Sequence, residues 1–517
     1  MENLSLFTKK ILSFLESDSS KWDYWTTKQK LAPVSDASCM HKFVERINEA
    51  KKQHKKILVA GDYDCDGILA TTIMVDGLTK MGIETGFYIP DRIKEGYGLH
   101  EETVSLAHQR GYQIIVTVDN GVKAQSALKL AKAYGMETIV TDHHCLDDSV
   151  DCDLLIHPDF LEPEFSTLCG AGVAYECIRM LAVDSDYHLI LAAIASIGDV
   201  MQVTGQTRAL IQNGLTLLNV SKEKHCSLLA DDPILNEVSV GFQIVPKLNA
   251  IGRLSNLANV NNAVRYFLNQ NDQKIRSFHM QITHLNDLRK KISNQMKETA
   301  LSKCVSSQPV IMVQDPSFHE GIIGLVAGSL CSQFQKPVIV FAKNPEGYKA
   351  SMRSPRGFNC MDFLHDFSDY DALGGHDQAA GFSLHLHDFK SFVDYVRNKI
   401  NSYAWELETK STLYVKPEEL TVSTLEELDF LRPFGPGFEF PAIEVDATQI
   451  KSFYDFSNGK HRRYTLDSGL TCIYFNIPKT EKNKSVNAIR SFVGQPQMNY
   501  YRGTKRVNFV IDSILYK

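Results

Sequence analysis

ILVAGDYDCDG (57–67) sets a short apolar run directly against three aspartates and two glycines. IIVTVDNG (114–121) and TIVTDHH (138–144) repeat the arrangement, each passing from β-branched residues straight into carboxylates or imidazoles. Runs of this length and composition read as buried strands. Polar chemistry at their C-terminal ends is what the crevice of a parallel sheet presents to a ligand. Candidate strands at 56–60, 84–89, 113–118, 137–141 and 153–157 alternate with helices near 67–81, 100–110 and 123–135. Such alternation implies an α/β unit whose parallel sheet is covered on both faces.

Three strand ends of this kind bring Asp62, Asp64, Asp66, Asp119, Asp142, His143 and His144 toward one rim. That many carboxylates in one place repel each other unless cations neutralise them. If 61–67 stays extended, the aspartates at 62, 64 and 66 share a face, because side chains alternate with period two. LILAAIASIGDV (189–200) adds Asp199, an acid at the end of an otherwise buried helix. The expected ligands are therefore Asp62, Asp64, Asp66, Asp119, His143 and Asp199, with Asp119 placed to bridge two ions. Oxygen-rich ligands with one imidazole suit Mn²⁺ or Mg²⁺ better than zinc. Two such ions clamp a phosphoryl group and activate water for in-line attack. His144 is then expected to touch the phosphate, and His144, Asp119 and Asp142 are the candidate catalytic groups.

Further along, residues 271–304 carry Ile275, Phe278, Ile282, Leu285, Leu288, Ile292 and Met296 at helical spacing, without glycine or proline. A helix of that length spans ~50 Å and can bridge two domains across a groove; a packing helix within one domain is the alternative. A second α/β unit follows, with a strand at 309–313, a helix at 320–335, a strand at 337–342 and a glycine-marked stretch to about 404. SMRSP (351–355) and LGGHDQAAGF (373–382) offer Ser351, Arg353, Ser354, Gly374, Gly375 and His376 to phosphate oxygens. LNAIGR (248–253) adds Arg253 beside an expected helix start, and PDRIKEGYGL (90–99) adds Arg92 and Tyr97. Each of these also fits a surface salt bridge.

The expected division is a helical segment at 1–50, a catalytic domain at 51–270, a connecting helix at 271–306, a substrate-binding α/β domain at 307–404 and a small all-β barrel at 405–517. Net charge is −6, yet residues 442–517 hold 12 Lys/Arg against 6 Asp/Glu. That basic end is interleaved with Phe453, Tyr454, Phe456, Tyr464, Tyr474, Phe475, Tyr500 and Tyr501. Rings and cations together suit single-stranded nucleic acid; a β-domain with an aromatic core and solvated charges is the other reading. No apolar run approaches the ~20 residues of a membrane helix, and the start lacks a signal-peptide pattern. The eleven cysteines are scattered without a CxxC pair, as expected of reduced thiols in the cytoplasm.

Taken in order, GDYDCDG, PDRIKEGYGL, TVDNG, VTDHH, LCGAGVA (168–174), IGDV (197–200), PKLNAIGR, SMRS, GGHDQAAG and LRPFGPG resemble the DHH phosphoesterase superfamily, and within it the RecJ-like single-strand-specific exonucleases. The resemblance covers roughly 55–517. It implies a DHH domain, a DHHA1-like α/β domain and a terminal OB-fold β-barrel. It places metal ligands at Asp64, Asp66, Asp119, His143 and Asp199, and phosphate or strand contacts at His144, Arg353 and His376. The implied reaction is hydrolysis of single-stranded DNA from the 5′ end, releasing nucleoside 5′-monophosphates, in recombination and repair. A single-stranded-DNA-binding protein and a helicase are the implied partners. The chain departs from the pattern at Ala60, where many relatives have histidine, at Cys65 and at Met352, and no further partner-binding module is expected beyond the barrel. Two other readings are a phosphodiesterase for short RNA or cyclic dinucleotides and a non-catalytic replication scaffold.

Overall fold

The computed structural model describes residues 4–146, 149–408, 411–501 and 504–517, without the side chains of Lys479, Tyr500 and Tyr501. Two of the expected basic-end aromatics, Tyr500 and Tyr501, thus lie outside the described side chains. Internal contacts divide the chain into two units: 34–199 with 214–409, and 1–33 with 200–213 and 410–517.

In the larger unit, β1 (Ile57–Ala60), β2 (Thr85–Tyr88), β3 (Ile114–Val118), β4 (Glu137–Thr141) and β5 (Leu154–Ile156) form one parallel sheet. Their order is β2-β1-β3-β4-β5, so the chain leaves β1 toward one edge and returns to build the other. A ligand crevice belongs at such a reversal, outside the strand ends. Ala60 pairs with Thr117, and Thr117 with Val140, which levels the ends of β1, β3 and β4. Every residue of β1 and β3 is buried, the reason those runs are apolar except for Thr117.

Helix α1 (Cys65–Lys80) corrects the extended-loop expectation. Asp64 is its N-cap and accepts the Gly67 amide at 3.1 Å, so the helix begins two residues before the periodicity suggested. Capping wins because a short carboxylate satisfies amides that the first turn leaves unpaired. Gly67 is demanded by crowding: a Cβ there would come 2.5 Å from Asp62 O.

Four later helices position the site: α2 (Gly170–Met180), α3 (Asp186–Gly198), α4 (Val245–Arg253) and α5 (Asp272–Lys303). Arg253 ends α4 rather than standing beside a helix start, and a cation at that end is favoured by the helix dipole. The 32 residues of α5 are capped by Asn271, which accepts from Gln273 N and Lys274 N. Met296 and Ala300, near its end, join the core beneath a second sheet with Val313, Ile323 and Val340. That sheet contains β6 (Ile311–Asp315), β7 (Val338–Lys343), β8 (Gly347–Arg353), β9 (Ala372–His376) and β10 (Ala379–His385), in the order β6-β7-β8-β10-β9. Met352 is fully buried in its core, which accounts for the larger side chain at that position.

The smaller unit carries a seven-stranded sheet of β11 (Thr412–Val415), β12 (Ala442–Asp446), β13 (Ile450–Phe456), β14 (His461–Leu466), β15 (Thr471–Tyr474), β16 (Ile489–Tyr501) and β17 (Thr504–Tyr516). Arg208 is wholly buried there, donating to Trp25 O, Leu431 O and Pro433 O at 2.8–3.1 Å. Its guanidinium also stacks over Trp25 and Phe438. One cation thereby ties together three segments that are far apart in sequence. The aromatic residues of the basic end divide between core and surface. Tyr464 packs on Phe492 in the core, whereas Phe453, Tyr454 and Phe475 are exposed. Arg462 and Arg463 lie over the Phe453 and Tyr454 rings, at 4.9 and 6.0 Å. Among the described residues no helix is long and apolar enough to cross a membrane.

Candidate active site

The acidic residues assemble at the reversal between β1 and β3 in overlapping groups. Asp62, Asp64 and Asp119 offer oxygens within 4.8 Å of one another, as do donor atoms of Asp66, His143 and Asp199, and of Asp119, His143 and His144. Asp119 and His143 each belong to two groups, and His143 Nε2 lies 3.1 Å from Asp119 Oδ1 and 3.5 Å from Asp199 Oδ2. Asp119 holds a left-handed backbone, φ 60°, at the end of β3, a conformation Asp tolerates better than most residues. Its carbonyl accepts from the Tyr97 hydroxyl at 2.9 Å.

Their electrostatics mark these groups as cation-seeking. Burial, then the charges of neighbouring aspartates, pushes the carboxyls of Asp62, Asp64 and Asp119 upward, and that of Asp199 up to about 9. Burial keeps His143 below the usual imidazole range, hence neutral and able to ligate. Asp62 Oδ1 is buried without a hydrogen-bond partner. An ionised carboxylate oxygen left that way is expensive unless a ligand meets it. Cations of the Mn²⁺ or Mg²⁺ kind fit this donor set.

Helix α2 explains why Asp66 points where it does. Gly170 N and Ala171 N donate to its two oxygens at 2.7 and 2.8 Å, so a helix N-terminus holds the carboxylate from behind. From α4, Asn249 Oδ1 accepts the Cys65 amide at 2.7 Å and fixes the start of α1. Asn120 Nδ2 donates to both Ala60 O and Val118 O, tying β1 to β3 at the site. None of these supports was singled out from sequence, although LCGAGVA and LNAIGR contain the first two.

Asp142 is fully buried and accepts from Val122 N, His143 N and His144 N at 2.8–3.2 Å. It also lies 2.8 Å from His144 Nδ1. Burial is the largest single influence on His144 and lowers it, but the bond to Asp142 together with the charges of Asp142, Asp66 and Asp64 holds the imidazole above its ordinary value. Asp142 therefore fixes the orientation and favours the charge of the His144 ring. The Tyr97 hydroxyl approaches the edge of the same ring, 3.1 Å from Nδ1 and 3.4 Å from Nε2.

Beside the carboxylates stands a cluster of guanidinium groups. Burial, with the charges of Arg92, Arg353 and Arg289, pushes Arg253 down to about 9. No carboxylate forms an ion pair with any of these four among the described residues. Like charges gathered without carboxylate partners suit a place where an anion binds. Arg289, on α5, was missed from sequence; its Nη2 donates to Asn286 Oδ1 at 2.5 Å. Asn286 is 2% exposed, and a buried amide in the apolar stripe of α5 was the available signal. Arg353 ends β8 and donates to Ser351 Oγ at 2.9 Å. Ser354 is buried and spends its hydroxyl on Phe358 O, so it supports the turn. Gly374, Gly375 and His376 are exposed on β9, an edge strand. Such an edge leaves alternate amides unpaired.

Residues 56–198 match the sequence profile of the DHH family, N-terminal domain, residues 307–402 that of the DHHA1 domain, and residues 413–513 that of the RecJ OB domain. The single-stranded-DNA-specific exonuclease RecJ of Bacillus subtilis is 31% identical, over 91% of this chain and 63% of its own length. The protein of the same name from Salmonella typhimurium is 31% identical, over 94% of this chain and 91% of its own. The crystal structure of RecJ in complex with Mn²⁺ from Thermus thermophilus shares the fold with a TM-score of 0.83, at 23% identity, over 99% of this chain and 78% of that one.

Proposed function

The chain belongs to the RecJ family, and from that premise we propose that it is a metal-dependent exonuclease that degrades single-stranded DNA from the 5′ end, releasing nucleoside 5′-monophosphates. The carrying observation is the adjacency of two charge clusters: carboxylates needing cations and guanidiniums needing an anion. A backbone phosphate held between them satisfies both.

Asp62, Asp64 and Asp119 would hold one divalent ion, manganese or magnesium, and Asp66, His143 and Asp199 a second, with Asp119 shared. When bound, such a pair polarises the phosphoryl group and activates water. The protein's own part is to bind, orient and move protons. His144, oriented by Asp142, presents its other ring nitrogen to a phosphate oxygen or to the leaving 3′ oxygen. The bond that breaks joins phosphorus to the 3′ oxygen of the terminal nucleotide. Arg92, Arg253, Arg289 and Arg353 hold the phosphate beyond it, with Ser351 beside Arg353. A 5′-terminal monoester carries close to two charges at neutral pH and an internal diester one, so this grip favours the 5′ end. His376 and the amides of Gly374 and Gly375 extend the path for the strand.

An enzyme confined to single strands needs something to expose them. A helicase and a single-stranded-DNA-binding protein are therefore the proposed partners, and the cytoplasm the proposed location. The test is a single strand labelled at one end and incubated with Mn²⁺. A 5′ label should appear at once as mononucleotide, while a 3′ label persists on shortening fragments. The opposite order rejects the polarity, and no release from either end rejects the activity.

A further inference from the structure

Among the described residues Arg92 has no carboxylate partner; its guanidinium carbon instead stands 4.7 Å over the centre of the Tyr63 ring. Tyr63 lies in the chain between Asp62 and Asp64, two of the three groups that would hold one ion. Its backbone is gripped from α4, where a Cβ on Gly252 would come 2.4 Å from Tyr63 O and Asn249 anchors the Cys65 amide. The ring's free swing is limited further by Tyr97, which meets it edge-on at 6.4 Å. The residue that carries Arg92 is thus built into the carboxylate loop itself.

We infer that Tyr63 is a positioning residue: its ring face holds Arg92 at a fixed offset from the Asp62–Asp64–Asp119 group, coupling recognition of a terminal phosphate to the linkage that is cut. The inference rests on the exonuclease reading above and deepens it. A guanidinium on a flexible stem loses freedom when it binds phosphate, and one already laid on a ring has less to lose. The offset also measures the strand. A phosphate seated on Arg92 places the next linkage, and not a later one, at the carboxylates. Leu in place of Tyr63 removes the π face; Phe keeps it.

The experiment compares the Michaelis constants of full-length protein for otherwise identical strands bearing a 5′-phosphate or a 5′-hydroxyl, in wild type, Tyr63→Leu, Tyr63→Phe, Arg92→Gln and the Tyr63→Leu/Arg92→Gln double variant. Wild type should prefer the phosphate, and Tyr63→Leu should lose roughly tenfold of that preference. Tyr63→Phe should keep it, and the double variant should lose no more than Arg92→Gln alone. Mn²⁺ titrated into Tyr63→Leu without DNA should bind as in wild type. A Tyr63→Leu protein that slows equally on both strands, or that loses Mn²⁺ binding, overturns the inference, since Tyr63 would then act only through the fold or the metal loop. If wild type releases mononucleotides yet ignores the 5′ group, the inference fails and the exonuclease reading stands. If it releases none, the exonuclease reading itself has failed.

Discussion

Asp66 Oδ2 receives the amide hydrogen of Gly170 at 2.7 Å, so the first residue of one helix decides where a carboxylate of another helix stands. Gly170 is also pressed against Asp119, and a Cβ there would come 2.4 Å from Asp119 Cβ. Gly170→Ala should displace both carboxylates at once. Misplacement by about 1 Å commonly costs on the order of a hundredfold in rate. Mononucleotide release and Mn²⁺ affinity should fall together in this variant, and a normal Mn²⁺ affinity would contradict the argument.

Asn249 supports the same loop without meeting any donor atom of the three carboxylate groups. Supports of this kind typically contribute about ten- to a hundredfold in metal affinity or activity. Asn249→Ala should weaken Mn²⁺ binding within that range in a calorimetric titration while circular dichroism shows an unchanged fold. Unaltered Mn²⁺ binding would reduce the Cys65 contact to a packing detail.

Metal-free stability should fall as pH rises. Asp62, Asp64, Asp119 and Asp199 have folded-state values above those of an unfolded chain, Asp199 at about 9. The folded state thus holds more protons, and the stability this contributes is lost as pH climbs toward the folded values. The depressed His143 works the other way, but only below about pH 6.5. Above pH 7, up to about pH 9, the carboxylates decide, and the raised His144 pulls in the same direction. Melting with a chelator should therefore drop across that window, and Mn²⁺ should restore more at pH 8.5 than at pH 7. A chelated protein equally stable across the window would contradict the electrostatic account.

The ends of β3 and β4 were legible because four or five buried β-branched residues followed by Asp admit few other readings, and the apolar run of β1 ends at Gly61 and Asp62 in the same way. The start of α1 was misread, since Asp at 62, 64 and 66 suggested alternation while Asp64 was capping a helix. Asn249 and Arg289 hid on helices, where a polar residue looks like a solvated face until its partner is seen. The makeup of the smaller unit was invisible for a different reason. Trp25, Arg208 and Leu431 are joined only by folding, through one side chain's hydrogen bonds to backbone carbonyls.

That composite unit changes how a nucleic-acid role for its exposed aromatic residues is tested. Removing 405–517 would strip Arg208 of the Leu431 and Pro433 carbonyls, so a point substitution is cleaner. Tyr454 is 52% exposed on β13 beside Arg463. Tyr454→Ala should weaken single-strand binding by about 1–3 kcal/mol, as loss of one stacked base does. Arg463→Gln should also flatten the dependence of affinity on salt. Fluorescence anisotropy across a salt series reads both, and unchanged affinity in both would assign these residues to some other role.

The central claim is a pair of cations sharing Asp119, and counting Mn²⁺ by calorimetry on wild type and Asp119→Ala tests it most directly. Wild type should take up two ions per chain, and the variant should lose tight binding of both while remaining folded. A wild-type protein that binds no Mn²⁺, or an Asp119→Ala protein that binds two as tightly as wild type, would contradict it.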